Sequence, residues 1–117
     1  MPFVAVLLQI DPSDKEIAVM PTKPNAEFAR DLYKAILTLE TVEECEMFFK
    51  DLCTIPELKA LSQRFAVAEM LEQNMVYNKI VEATGASTAT ISRVKRSLDY
   101  ENAGGYTLVF ERMKNAE

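Results

Sequence analysis

From Asn25 onward, apolar residues recur every three to four positions, the spacing of a helix that buries one face. Phe28, Leu32, Ile36 and Leu39 mark the first run and predict a helix over about residues 26–39, with Asn25 as its cap. Val42, Cys45, Phe48, Phe49 and Leu52 predict a second helix from Thr41 to about Cys53. The segment "TIPELKALSQRFAVAEMLEQ" predicts the longest. Thr54 stands ahead of Pro56 in the first turn, and Glu57 lies near the N-terminal end, where a carboxylate suits the helix dipole. Leu58, Leu61, Phe65, Ala68 and Leu71 form its core face. Residues 77–84 then predict a short helix with Ile80 and Val81 inward, halted at Gly85, which takes the left-handed conformation of a tight turn at little cost. Another helix starts at Ser87 or Thr88 and runs to Leu98, with Ile91, Val94 and Leu98 inward. "YENAGG" interrupts, and "YTLVFERMKNA" predicts a last helix.

Upstream the period changes. "FVAVLLQI" and "EIAVMP" are β-prone runs on either side of the turn-rich "DPSDK", so residues 1–23 are either a short β-hairpin arm or a loose one. The expected organisation is therefore all-α: an N-terminal arm over 1–23, then one domain of about six helices over 24–117 containing a helix-turn-helix.

Composition narrows the chemistry. Of 117 residues 49% are hydrophobic, enough for one modest core. Cys45 and Cys53 fall eight apart in one predicted helix, so their α-carbons should lie about 12 Å apart, beyond disulfide reach. With no histidine and no Cys-x-x-Cys pair, neither a zinc site nor a Ser-His or Cys-His catalytic arrangement can be assembled. The expectation is that the chain is not an enzyme. No run approaches the roughly 18 apolar residues of a membrane span, and the start lacks the features of a signal peptide, so a cytoplasmic location is expected.

The net charge of −5 means that any phosphate contact must come from a local patch. "GASTATISRVKRS", residues 85–97, provides one. Two short helices joined by a glycine-containing turn describe a helix-turn-helix. In the second helix Ser87, Thr88, Ala89, Thr90 and Ser92 are small, able to approach base edges closely and to exchange hydrogen bonds with bases or phosphates. Arg93, Lys95 and Arg96 follow with no acid between Gly85 and Leu98, and Lys79 precedes the turn; their charge suits phosphates. The plainer alternative is a solvated helix whose basic end complements its dipole. An alternative for the whole chain is a dimeric helical module that docks an acidic protein partner.

The block "ELKALSQRFAVAEMLEQNMVYNKIVEATGASTATISRVKRSL" resembles the core of the Trp repressor superfamily, in particular its YerC/YecD-type branch, over about residues 26–112. The resemblance implies a homodimer whose two helix-turn-helix heads read successive major grooves of double-stranded DNA, and a regulator that acts as a repressor. Its DNA-facing positions fall on Tyr77, Asn78, Ser87, Thr88, Ala89, Thr90 and Ser92. It also implies a small effector, an amino-acid corepressor held between two arginines, here Arg64 and Arg93, with Thr54 near its amino group. A guanidinium can stack on an aromatic ring and bind a carboxylate, which fits such a ligand. Val94 stands where tryptophan-binding members have glycine, and a branched side chain in the ligand's space counts against tryptophan itself. Val76 stands where a serine would cap the first short helix.

Overall fold

A computed structural model of the chain describes residues 24–116. Among them are six α-helices and no strand: α1 (Asn25–Ile36), α2 (Val42–Leu52), α3 (Ile55–Glu72), α4 (Tyr77–Thr84), α5 (Thr88–Asp99) and α6 (Gly105–Asn115). The expected hairpin arm lies outside the described residues. A boundary between two compact units falls after Cys45, inside α2.

In the first unit, α1 begins one residue earlier than the apolar spacing predicts. Pro24 is its N-cap and Asn25 its first helical residue, with no side-chain cap. Asn25 therefore does not cap. Pro24, which has no N–H to satisfy, enters in an extended conformation and accepts the first helical hydrogen bonds from Glu27 and Phe28 through its carbonyl. The helix also stops short of Leu39: Thr38 and Leu39 donate to the carbonyls three residues back, tightening the end into a turn, and the Thr38 hydroxyl caps Ala35 O at 2.6 Å.

The second unit holds the core. Val67 and Ala68 of α3, Ile80 of α4, Ala86 in the turn, and Ile91 and Val94 of α5 are buried together, so that α3 packs on both α4 and α5 and these two pack on each other. Phe110 and Tyr106 of α6 close against this cluster, with Phe110 also 5.6 Å from Phe65. α3 is the longest helix, at 18 residues, and its start is well specified. Thr54 N–H donates to Glu57 Oε1 at 2.8 Å while Glu57 N–H donates to Thr54 Oγ1 at 3.2 Å, a reciprocal capping box. Its core face is displaced toward the C-terminal half: Leu61, expected inside, is exposed, whereas Val67 is buried completely. The far end is closed by Asn74 in the left-handed conformation (φ 62°), with Met75 N–H donating to Met70 O and Asn74 N–H to Leu71 O.

Candidate nucleic-acid interface

The turn between α4 and α5 is held by hydrogen bonds from its own backbone and side chains and from α3. Gly85 is left-handed (φ 72°) and donates to Val81 O at 2.8 Å; the Thr84 hydroxyl donates to Ile80 O and accepts from Ala86 N–H. Gln63 of α3 donates to Thr84 O at 3.1 Å. This bond fixes the helix-turn-helix to the long helix from outside, and no spacing rule in the sequence announces it. α4 itself begins without a side-chain cap at Val76, as its residue type predicts.

α5 opens on Ser87, whose hydroxyl oxygen accepts from Thr90 N–H at 3.1 Å and whose hydroxyl proton goes to Thr90 Oγ1, also at 3.1 Å. The hydroxyl-rich turn is thus divided. Ser87 and Thr90 are committed to each other, while Thr88, Ala89 and Ser92 are exposed. On the inner side Ile91 and Val94 anchor the helix in the core. Val94 is only 2% exposed and belongs to the buried cluster.

The outward cations differ in state. Lys95 Nζ lies 2.9 Å from Asp99 Oδ2, and Lys79 Nζ lies 3.7 Å from Glu82 Oε2. Arg93 and Arg96 are exposed and have no ion pair with any described residue. Both line a shallow cavity of about 480 Å³ together with Ala89, Ser92, Ser97 and Glu101. Asp99 was legible as an i, i+4 partner of Lys95; the approach of Glu101 to the arginines was not, because it depends on how the chain leaves α5. Tyr77 is half-buried against the core, and Asn78 is exposed beside it at the start of α4.

Of the residues expected around an effector, only Arg93 lines the cavity just described. Arg64 is half-buried on α3, one turn before Ala68, and has no carboxylate partner among the described residues. Thr54 is occupied in the capping box. Neither lines the Arg93 cavity. A second cavity of about 460 Å³ runs beside Phe65, Ser97, Tyr106 and Val109, under the loop that carries left-handed Gly104. Among the described residues there is no group of carboxylates and cysteines that could hold a metal, and no helix is long and apolar enough to cross a membrane.

Comparison with known proteins places this geometry. The family model for the Trp repressor protein matches residues 29–114. Over 86 residues the chain is 52% identical to YerC, an uncharacterized protein of Bacillus subtilis (strain 168), covering 74% of this chain and 82% of YerC. A crystal structure of a TrpR-like protein from Eubacterium eligens ATCC 27750 is similar at a TM-score of 0.71, with 53% identity over 75% of this chain and 90% of that one. A Trp repressor candidate from Staphylococcus aureus gives the same TM-score at 51% identity, over 79% and 89% of the two chains.

Proposed function

The chain belongs to the Trp repressor family, a family of helix-turn-helix regulators and not of enzymes, and on that premise we propose that it is a sequence-specific DNA-binding repressor acting as a homodimer. The observation that carries the reading is the outward face of α5. Small side chains at Thr88, Ala89 and Ser92 are exposed at its start, and two guanidiniums that pair with no carboxylate among the described residues follow at Arg93 and Arg96, in a chain of net charge −5. Thr88, Ala89 and Ser92 contact base edges; Arg93 and Arg96 bind phosphates, with Lys79 and Lys95 in support. Tyr77 and Asn78 approach the backbone from the start of α4. Ser87 and Thr90 hold the first turn of α5 in position.

Dimerisation gives the apolar surface a use. Tyr33 on α1, Val42 and Met47 on α2, and Leu108, Val109 and Met113 on α6 are exposed in the single chain, more apolar surface than isolated side chains account for. Burial against a second copy is the economical solution, since obligate homodimer interfaces resemble a core cut in half. Two heads related by a two-fold axis would read half-sites about one helical turn apart.

Selection of duplexes from a random-sequence pool tests the reading: enrichment of a roughly palindromic motif is expected, and failure to enrich any motif overturns it. Digestion with nuclease distinguishes the competing interaction module, because a protein partner would be retained and a DNA partner lost. Regulation is assigned to an amino-acid effector held near Arg64 and Arg93, with Thr54, the N-cap of α3, near its amino group. A panel of free amino acids in thermal unfolding checks this, since a ligand bound only by the native state raises the midpoint. A flat panel would leave a constitutive repressor.

A further inference from the structure

Asp99 is a carboxylate where helix stability does not call for one. It is the last residue of α5, the end at which the helix dipole favours cations. Its partner Lys95 precedes it by four residues, and a base placed N-terminal to an acid is the weaker order for such a pair. The contact is nevertheless close, 2.9 Å, between side chains that are 49% and 42% exposed.

The position on the helix gives the pair its significance. At 3.6 residues per turn, Thr88, Ser92, Lys95 and Asp99 follow one another at i, i+4, i+7 and i+11 and share one stripe of α5, and all four are exposed. The carboxylate stands on the same face as the small side chains of the first turn and holds the lysine of that stripe. Arg93 and Arg96, displaced around the helix, have no such partner among the described residues. On α4 the Lys79–Glu82 pair repeats the arrangement more loosely, at 3.7 Å.

Resting on the DNA-binding reading above, we propose that Asp99 tempers DNA affinity by competing with backbone phosphate for the Lys95 ammonium. In the free protein the ammonium is held on its own helix; on DNA a phosphate oxygen replaces the carboxylate oxygen, and Asp99 is left facing the duplex. The hydrogen bond from Lys95 to Asp99, with the attraction between their charges, holds the proton on Lys95 more firmly than usual, as expected of an ammonium already engaged. The exchange makes the net gain from Lys95 smaller than that from either arginine.

The test is a double-mutant cycle on DNA binding, using a duplex enriched from a random pool by the native chain, with Asp99→Asn, Lys95→Gln and both together, each titrated at several salt concentrations. Asp99→Asn is expected to bind about two- to five-fold more tightly at low salt, the range of an exposed ion pair. The gain should fall as ionic strength passes about 0.15 M, where the screening length shortens to about 8 Å. In the Lys95→Gln background it should vanish. An equal gain in both backgrounds would mean that Asp99 acts by general repulsion and not through Lys95, and no gain in either would equally overturn the proposal. Both substitutions lie on an exposed helix face, and circular dichroism of each variant verifies that the helix persists. If the native chain enriches no duplex, the DNA-binding reading falls first; if it enriches one and Asp99→Asn is inert, only the tempering falls.

Discussion

Ser87 and Thr90 sit among five small residues that the sequence presents as equivalent, yet the structure gives these two a different task from Thr88, Ala89 and Ser92. The hydrogen bonds between them secure the first turn of α5, which has no acidic residue to complement its dipole. Ser87→Ala should therefore cost about 1 kcal/mol of stability, the usual loss for an N-cap, measured by urea denaturation. Gly85 was legible as the bend from its type alone, and its φ of 72° explains why. A methyl group there would meet nothing within 4 Å, so the cost of Gly85→Ala is backbone strain and not a clash. About 1–2 kcal/mol is expected in the same assay. Val94 shows the limit of single-residue comparison. Its size suggests an intrusion into ligand space, and the roll of α5 against α3, which a single position does not reveal, buries it.

At the scale of elements, the helices were legible where local chemistry decides them and less so where packing does. The start of α3 needed only Thr54, Pro56 and Glu57, and the capping box confirms it. The hydrogen bonds from Thr54 hold the Glu57 carboxyl below its ordinary range. A depressed carboxyl contributes stability that is present above its unfolded value and is lost as pH falls through the folded one. Glu57→Ala should thus lower the unfolding midpoint at neutral pH and leave it unchanged in strong acid, a difference that thermal scans across the acid range would reveal. The end of α3 is less obvious, because Asn74 serves where glycine is commoner. On the core face of α3, Ala68 is buried and Leu71 packs against the core as the apolar repeat predicts, whereas Leu61 is exposed and Val67, off that repeat, is buried.

At the scale of the whole molecule, the core lies in the second unit around Val67, Ala68, Ile80, Ala86, Ile91 and Val94, and large apolar side chains on α1, α2 and α6 are exposed. The fold class and the helix-turn-helix were legible from apolar period and turn chemistry. The tie from Gln63 to Thr84 was not, because it depends on a contact between distant segments. Ile91, wholly buried at the centre of the head, should be the costliest single truncation: Ile91→Ala is expected to lose about 2–5 kcal/mol in urea denaturation and DNA binding with it. Light scattering should give twice the mass of the chain if the exposed faces of α1, α2 and α6 meet a second copy. The central claim is that α5 anchors DNA through Arg93 and Arg96, and its most direct test is affinity for the enriched duplex against salt concentration, for the native chain and for Arg93→Ala with Arg96→Ala. The account predicts a steep fall of affinity with salt for the native chain, and for the variant weaker binding with a slope shallower by about two for each engaged head. Binding insensitive to salt, or unchanged in the double variant, would contradict it.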